Sequence, residues 1–184
     1  MNSSDAILVL TTGGTIDKQY FDALSRYQIA DTTVARLLAI ARVTHPHKIE
    51  EVLRKDSLDL TDEDRAQIVE RVRTTGYSRI VITHGTDTMT RTARALSAIR
   101  GKTVVLTGAL APARFSESDA AFNLGMAFAA AQTAAPGVYI AINGSVFRGG
   151  EVRKDRRRGR FVRKRALQDK ARNRPASRRA SSHT

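Results

Sequence analysis

Short apolar runs and amphipathic stretches alternate along this chain. Ile7-Leu8-Val9-Leu10 is continuously apolar, as expected of a strand buried on both faces. Residues 17–30 are polar and aromatic-bearing. Their two β-like pieces, Tyr20-Phe21 and Tyr27-Gln28-Ile29, predict a β-hairpin or a mobile loop. Asp31-Thr32-Thr33 then supplies capping residues for a helix to about residue 42, with Val34, Leu37, Leu38 and Ala41 on one face. Residues 47–53 read as a second strand. Thr61, followed by Asp62-Glu63-Asp64, opens a helix that carries Ile68, Val69 and Val72 and stops at Gly76. Ile80-Val81-Ile82 is the third strand, 88–99 a helix, 102–107 the fourth strand, 118–132 an alanine-rich helix and 137–142 the fifth strand. Strands separated by helices of this length imply βαβ units. The expected fold is a single α/β domain, with a mostly parallel, Rossmann/flavodoxin-like sheet flanked by helices and the N-terminal hairpin or flexible loop attached. The expected division is 1–155 for that domain and 156–184 for a tail.

Two of the strands run into threonine-glycine segments, Thr11-Thr12-Gly13-Gly14-Thr15-Ile16-Asp17 and Thr83-His84-Gly85-Thr86-Asp87-Thr88-Met89. In an open α/β sheet, ligands bind at the carboxyl ends of the strands. Gly13-Gly14 permits close backbone approach, and Thr15 could present an exposed hydroxyl. Such a hydroxyl is a weak nucleophile until a partner takes its proton, and Tyr20 is a candidate partner. A tight turn with a solvated threonine fits the same residues. Asp87 suits an anchor for a cationic group or, equally, a helix cap. His84 reads as a packed histidine. His45, His47 and His183 show no metal-ligand spacing, so no metal site is expected. Lys154 becomes a general base if it is desolvated, but composition does not separate it from its basic neighbours.

Charge divides the chain. Of the net +13, residues up to 147 contribute 16 basic against 15 acidic groups; from 148 onward there are 15 basic against 3 acidic. A near-neutral domain thus precedes a basic end, and like-charge blocks such as Arg156-Arg157-Arg158 predict disorder from 156. There is no cysteine, which excludes disulfides and thiolate metal sites. No apolar run reaches the ~18 residues of a membrane span, and the start lacks a signal-peptide pattern, so a cytoplasmic location is expected.

Thr12–Ile16 and His84–Met89 resemble the two signature segments of bacterial-type L-asparaginases. Three further stretches are similar to that family in the same order: Val105-Leu106-Thr107-Gly108-Ala109-Leu110-Ala111-Pro112, the Ser118-Asp119 to Asn123-Leu124 helix, and 138–154. The resemblance covers about residues 5–155. It implies that Thr15 is the nucleophile on the side-chain amide of L-asparagine, giving a β-aspartyl enzyme that water hydrolyses to aspartate and ammonia. It implies that Tyr20 assists the nucleophile from a flexible loop. Thr86, Asp87 and Lys154 then form the Thr-Asp-Lys group: Thr86 positions or activates water or nucleophile, and Lys154 accepts the proton. Asp87 also binds the substrate α-amino group, while Ser57, beside Asp56, binds its α-carboxylate. Amides around Gly14 and Thr86 face the developing oxyanion. No cofactor is implied, and the assembly is expected to be a homo-oligomer, dimer or tetramer.

Two departures from the pattern matter. Long family members complete each site with a C-terminal domain from a neighbouring subunit, whereas this chain stops soon after Lys154 and is similar to the short single-domain form. Leu58 replaces a common glutamine, which should shift substrate preference. The competing expectations are nucleic-acid or anionic-surface binding through the arginine-rich tail and an ammonia-supplying subunit of a transamidation system.

Overall fold

The computed structural model describes residues 5–21 and 26–164. A six-stranded sheet forms the centre, built from β1 (Ile7–Thr11), β4 (His47–Glu51), β5 (Arg79–Thr83), β6 (Thr103–Thr107), β7 (Gly137–Ile142) and β8 (Ser145–Arg148). Its spatial order is β4-β1-β5-β6-β7-β8. All neighbours are parallel except β8, which turns back at Asn143-Gly144 and pairs antiparallel with β7. Along β1, Ile7 and Val9 face one core cluster and Leu8 and Leu10 the other, so the strand needs apolar residues at every position. The first cluster takes in Val34, Leu37 and Leu38 of α1 (Val34–Ile40) and Leu124, Ala127 and Phe128 of α4 (Ala120–Thr133). The second takes in Ile68 and Val72 of α2 (Asp62–Thr74) and Met89 and Ala93 of α3 (Met89–Ala95).

The five parallel strands thus lie in the order second, first, third, fourth, fifth. Between β1 and β5 the chain's path reverses across the sheet, opening a crevice at the strands' carboxyl ends. Both threonine-glycine segments emerge there. The expected hairpin is present as β2 (Lys18–Phe21) paired with β3 (Arg26–Ile29), with Tyr20 opposite Tyr27.

Several local expectations change. Thr61 and Asp64 form a capping box at the start of α2, but the helix ends because Thr75 turns extended (φ −68°, ψ 145°), one residue before Gly76. The helix after β5 shortens to Met89–Ala95, followed by a 3₁₀ turn over Leu96–Ala98. The disorder expected from 156 does not apply to 156–164. There β9 (Val152–Asp155) pairs antiparallel with β10 (Arg160–Arg163), and Phe161 is buried in the second cluster. Two apolar residues on one face, Val152 and Phe161, outweigh the arginines, which point to water. The rest of the expected tail, 165–184, lies outside the described residues.

Candidate active site

Thr15 begins a 3₁₀ turn, Thr15–Asp17, directly after β1. Gly13 and Gly14 reach it through φ of 88° and 91°, a backbone region that strains residues bearing a Cβ. A Cβ on Gly14 would overlap the Gly85 amide, and one on Gly85 would sit 2.6 Å from Ser57 Oγ. The β1 loop, the β5 loop and the Ser57 loop therefore meet backbone to backbone. Threonines fasten the junction. Thr12 Oγ1 donates to the Thr83 carbonyl (2.9 Å), and Thr88 Oγ1 donates to the Ser57 carbonyl (2.7 Å). Ser57 Oγ is left buried, with no hydrogen-bond partner among the described residues. A buried hydroxyl in that state is unfavourable until an acceptor arrives.

Lys154 reaches this crevice from β9. Its Nζ donates to Thr86 Oγ1 at 2.7 Å and to Asp87 Oδ1 at 3.0 Å, across 68 and 67 residues of chain. Its side chain is 14% exposed, so it is not the solvated surface lysine that composition alone favours. Asp87 does not cap α3: Thr88 holds the cap position, and no side-chain cap bond forms there. Arg156 stands 3.8 Å from the same Asp87 oxygen.

His84 is fully buried. One ring nitrogen, Nδ1, lies 2.7 Å from the Gly85 carbonyl, and the other, Nε2, lies 2.8 Å from Thr92 Oγ1. A carbonyl only accepts, so Nδ1 carries the proton and Nε2 accepts from the threonine. Burial pushes the ring's pKa down to about 4, keeping it neutral. Fixing the Gly85 carbonyl also fixes the Thr86 N–H, which points the opposite way across a trans peptide. The packed histidine thereby fixes the direction of an amide in the second threonine-glycine segment.

The other expected residues are placed less centrally. Tyr20 stands on the β2–β3 hairpin, 47% exposed, its ring edge-on to Tyr27 at 5.3 Å. Asp56 is engaged by Lys18 Nζ at 2.6 Å. Burial would raise its carboxyl pKa, but the hydrogen bonds from Lys18 and the Leu58 N–H, with the Lys18 charge, hold it below the ordinary value. A cleft of about 580 Å³ lies between the hairpin and this loop, lined by Lys18, Tyr27, Asp56, Leu58 and neighbours. Among the described residues, no group of three His, Asp or Glu side chains could hold a metal ion. Sequence reasoning gave Asp119 no role of its own. Its carboxylate takes the Leu110 and Ala111 amides and Asn123 Nδ2, while Asn123 bonds the Gly108 carbonyl and the Asn143 N–H. The Asp119-x-x-x-Asn123 spacing on one helix face was the available signal.

The family model of the asparaginase N-terminal domain matches residues 6–161. The L-asparaginase of Thermococcus kodakarensis is 37% identical over 155 residues, covering 80% of this chain and 47% of the relative. A glutamyl-tRNA(Gln) amidotransferase subunit of Methanococcus vannielii is 33% identical over 148 residues, covering 76% and 34%. Among solved structures, L-asparaginase I from Vibrio cholerae superposes with a TM-score of 0.75 at 29% identity, over 87% of this chain and 51% of that one. The chain spans about half the length of the two asparaginases.

Proposed function

Since the chain belongs to the asparaginase family, matching its N-terminal domain, we propose that it is an amidohydrolase releasing ammonia from L-asparagine. The observation that carries this reading is Lys154 Nζ bonded at once to Thr86 and Asp87, beside the glycine-packed turn that presents Thr15. In this reading Tyr20, on the hairpin that follows Thr15 in the chain, acts as its phenolate: Thr15 Oγ1 attacks the side-chain amide carbon as its proton passes to the Tyr20 oxygen. The oxyanion is met by amides near Gly14 and Thr86, preset donors of the kind that contribute several kcal/mol. Ammonia leaves with the returned proton and a β-aspartyl ester remains. Water held by Thr86 then attacks that ester, its proton passing through the Thr86 hydroxyl to the Lys154 amine; the proton returns to Thr15 Oγ1 as aspartate departs, and Thr15 is regenerated. Ser57 takes the α-carboxylate and Asp87 the α-ammonium, with Gly14 and Asp56 shaping the same wall. We place the enzyme in the cytoplasm as a homo-oligomer.

The test is ammonia release from L-asparagine, L-glutamine and D-asparagine, with quaternary state measured on the same sample. L-asparagine is expected to lead. Thr15→Ala and Thr86→Val should each lose nearly all turnover; either one, folded and at wild-type rate, overturns the role given to that threonine. The likeness to the amidotransferase subunit supports a second reading, in which ammonia is handed to a partner. Full-rate release of free ammonia by the isolated chain would exclude it.

A further inference from the structure

Asp17 closes the turn that presents Thr15, and the reaction above makes no use of it. Its side chain is 1% exposed. Burial raises its carboxyl pKa, with bonds from Thr33 and Thr32 pulling the other way and Glu51 adding to the rise. A carboxyl group is costly in so dry a place unless it is hydrogen-bonded. Asp17 Oδ1 accepts from the Thr33 N–H (2.8 Å), from Thr33 Oγ1 (3.2 Å) and from Thr32 Oγ1 (3.2 Å). The backbone is held as well. Asp17 N–H donates to the Gly14 carbonyl, Ala30 N–H to the Asp17 carbonyl, and Ala113 N–H to the Ile16 carbonyl. The Thr33 hydroxyl proton is shared with the Ile16 carbonyl at 3.3 Å.

Thr33 is the residue from which α1 starts, and Val34, Leu37 and Leu38 anchor that helix in the core. The next residue after Asp17, Lys18, is tied to Asp56 in the Ser57 loop. So the turn is bolted on one side to a core helix and on the other to the loop it must face. A bare turn requires neither a buried carboxylate nor three donors to it.

We infer that Asp17 is a positioning residue, which holds the Thr15 hydroxyl in line with Thr86 and the Ser57 loop by anchoring its turn to the start of α1. The inference rests on the reading of Thr15 as nucleophile. Nucleophile placement matters steeply: a shift of ~1 Å can cost about 10²-fold in rate.

The experiment is steady-state kinetics with L-asparagine, together with thermal melting, on the full chain carrying Asp17→Ala, Asp17→Asn, Thr33→Val, and Asp17→Ala with Thr33→Val. Asp17→Ala should lower kcat about 10²-fold with KM within about threefold, because binding groups stay in place while the attacking atom drifts. Asp17→Asn keeps an acceptor oxygen and should recover kcat to within about tenfold of wild type. The double variant should be no slower than Asp17→Ala alone, as expected of two groups acting as one unit. Folded variants with kcat within about twofold of wild type, or a rise in KM alone, overturn the inference. If Asp17→Ala does not fold, Thr33→Val decides: a severalfold drop in kcat at unchanged KM supports the tether, and wild-type kcat overturns it. Thr15→Ala separates the two claims. If it is inactive while the Asp17 variants are normal, only the positioning role fails; if it is active, the nucleophile assignment fails first.

Discussion

Ser57 keeps a hydroxyl in a site that is 1% exposed, beside Gly85 and without a hydrogen-bond partner among the described residues. Removing it should therefore separate stability from function. Ser57→Ala is expected to leave the melting temperature unchanged or slightly raised, since an unsatisfied buried group disappears. It should weaken kcat/KM about 10–100-fold through loss of a bond to a charged carboxylate, worth ~1.5–3 kcal/mol. A drop in stability with normal kinetics would show the hydroxyl to be structural. His84 gives the pH counterpart. The unfolded chain takes a proton near pH 6.5, whereas folded His84 stays neutral to about 4. Between those values the unfolded state binds more protons, so stability falls as pH falls, by about 3 kcal/mol in total. Buried Asp17, its carboxyl raised, tilts the opposite way above 3.8, so the readout is a difference. The stability of wild type relative to His84→Asn, which keeps a donor toward Gly85, should be constant above pH 6.5 and shrink toward pH 4. A difference flat from pH 4 to 7 would sink the assignment.

At the scale of elements, close contacts between strand-end loops, joined by Lys154 from β9, bring the candidate site residues together. Gly85 permits the approach of the Ser57 loop, and Gly85→Ala places a methyl 2.6 Å from Ser57. Overpacking of this kind costs about 1–3 kcal/mol, so the variant should melt lower and bind substrate less well. Gly125 is the control. It lies exposed within α4, where an added methyl would meet nothing within 4 Å, and Gly125→Ala should gain up to ~1 kcal/mol of stability with normal turnover. The central strands and the longer helices were legible because apolar periodicity encodes them directly. The β9–β10 hairpin was not, because eight arginines and lysines in 153–164 hide a two-residue apolar anchor, Val152 and Phe161. The competing roles of Asp87 and Lys154 could not be separated along the chain either. Both depend on a contact across 67 residues.

Over the whole molecule, the basic end includes the β9–β10 hairpin, whose pairing closes at Arg163. Truncation after Lys164 removes Arg165 and the residues beyond it while leaving β10 paired, so turnover should stay within about twofold of wild type. Truncation after Asp155 strips β9 of its partner and takes Phe161 out of the core. Losing such a buried aromatic costs ~3–5 kcal/mol, and Lys154 loses its support, so turnover should collapse. Comparison of the two truncations in the ammonia assay checks both. Salt-sensitive RNA binding that vanishes with the shorter truncation while turnover persists would assign that binding to the tail. Among the described residues, no helix is long and apolar enough to cross a membrane. By itself the sequence determined the alternation of strands and helices, the two threonine-glycine ends and their family likeness, because these are local patterns in hydrophobicity and residue type. Only the tertiary structure decided that β1 and β5 are neighbours at the reversal of the sheet, that Lys154 is drawn out of a basic run onto Thr86 and Asp87, and that Asp17 is buried against α1. Those facts depend on strand order and on which surfaces exclude water, and a linear pattern carries neither.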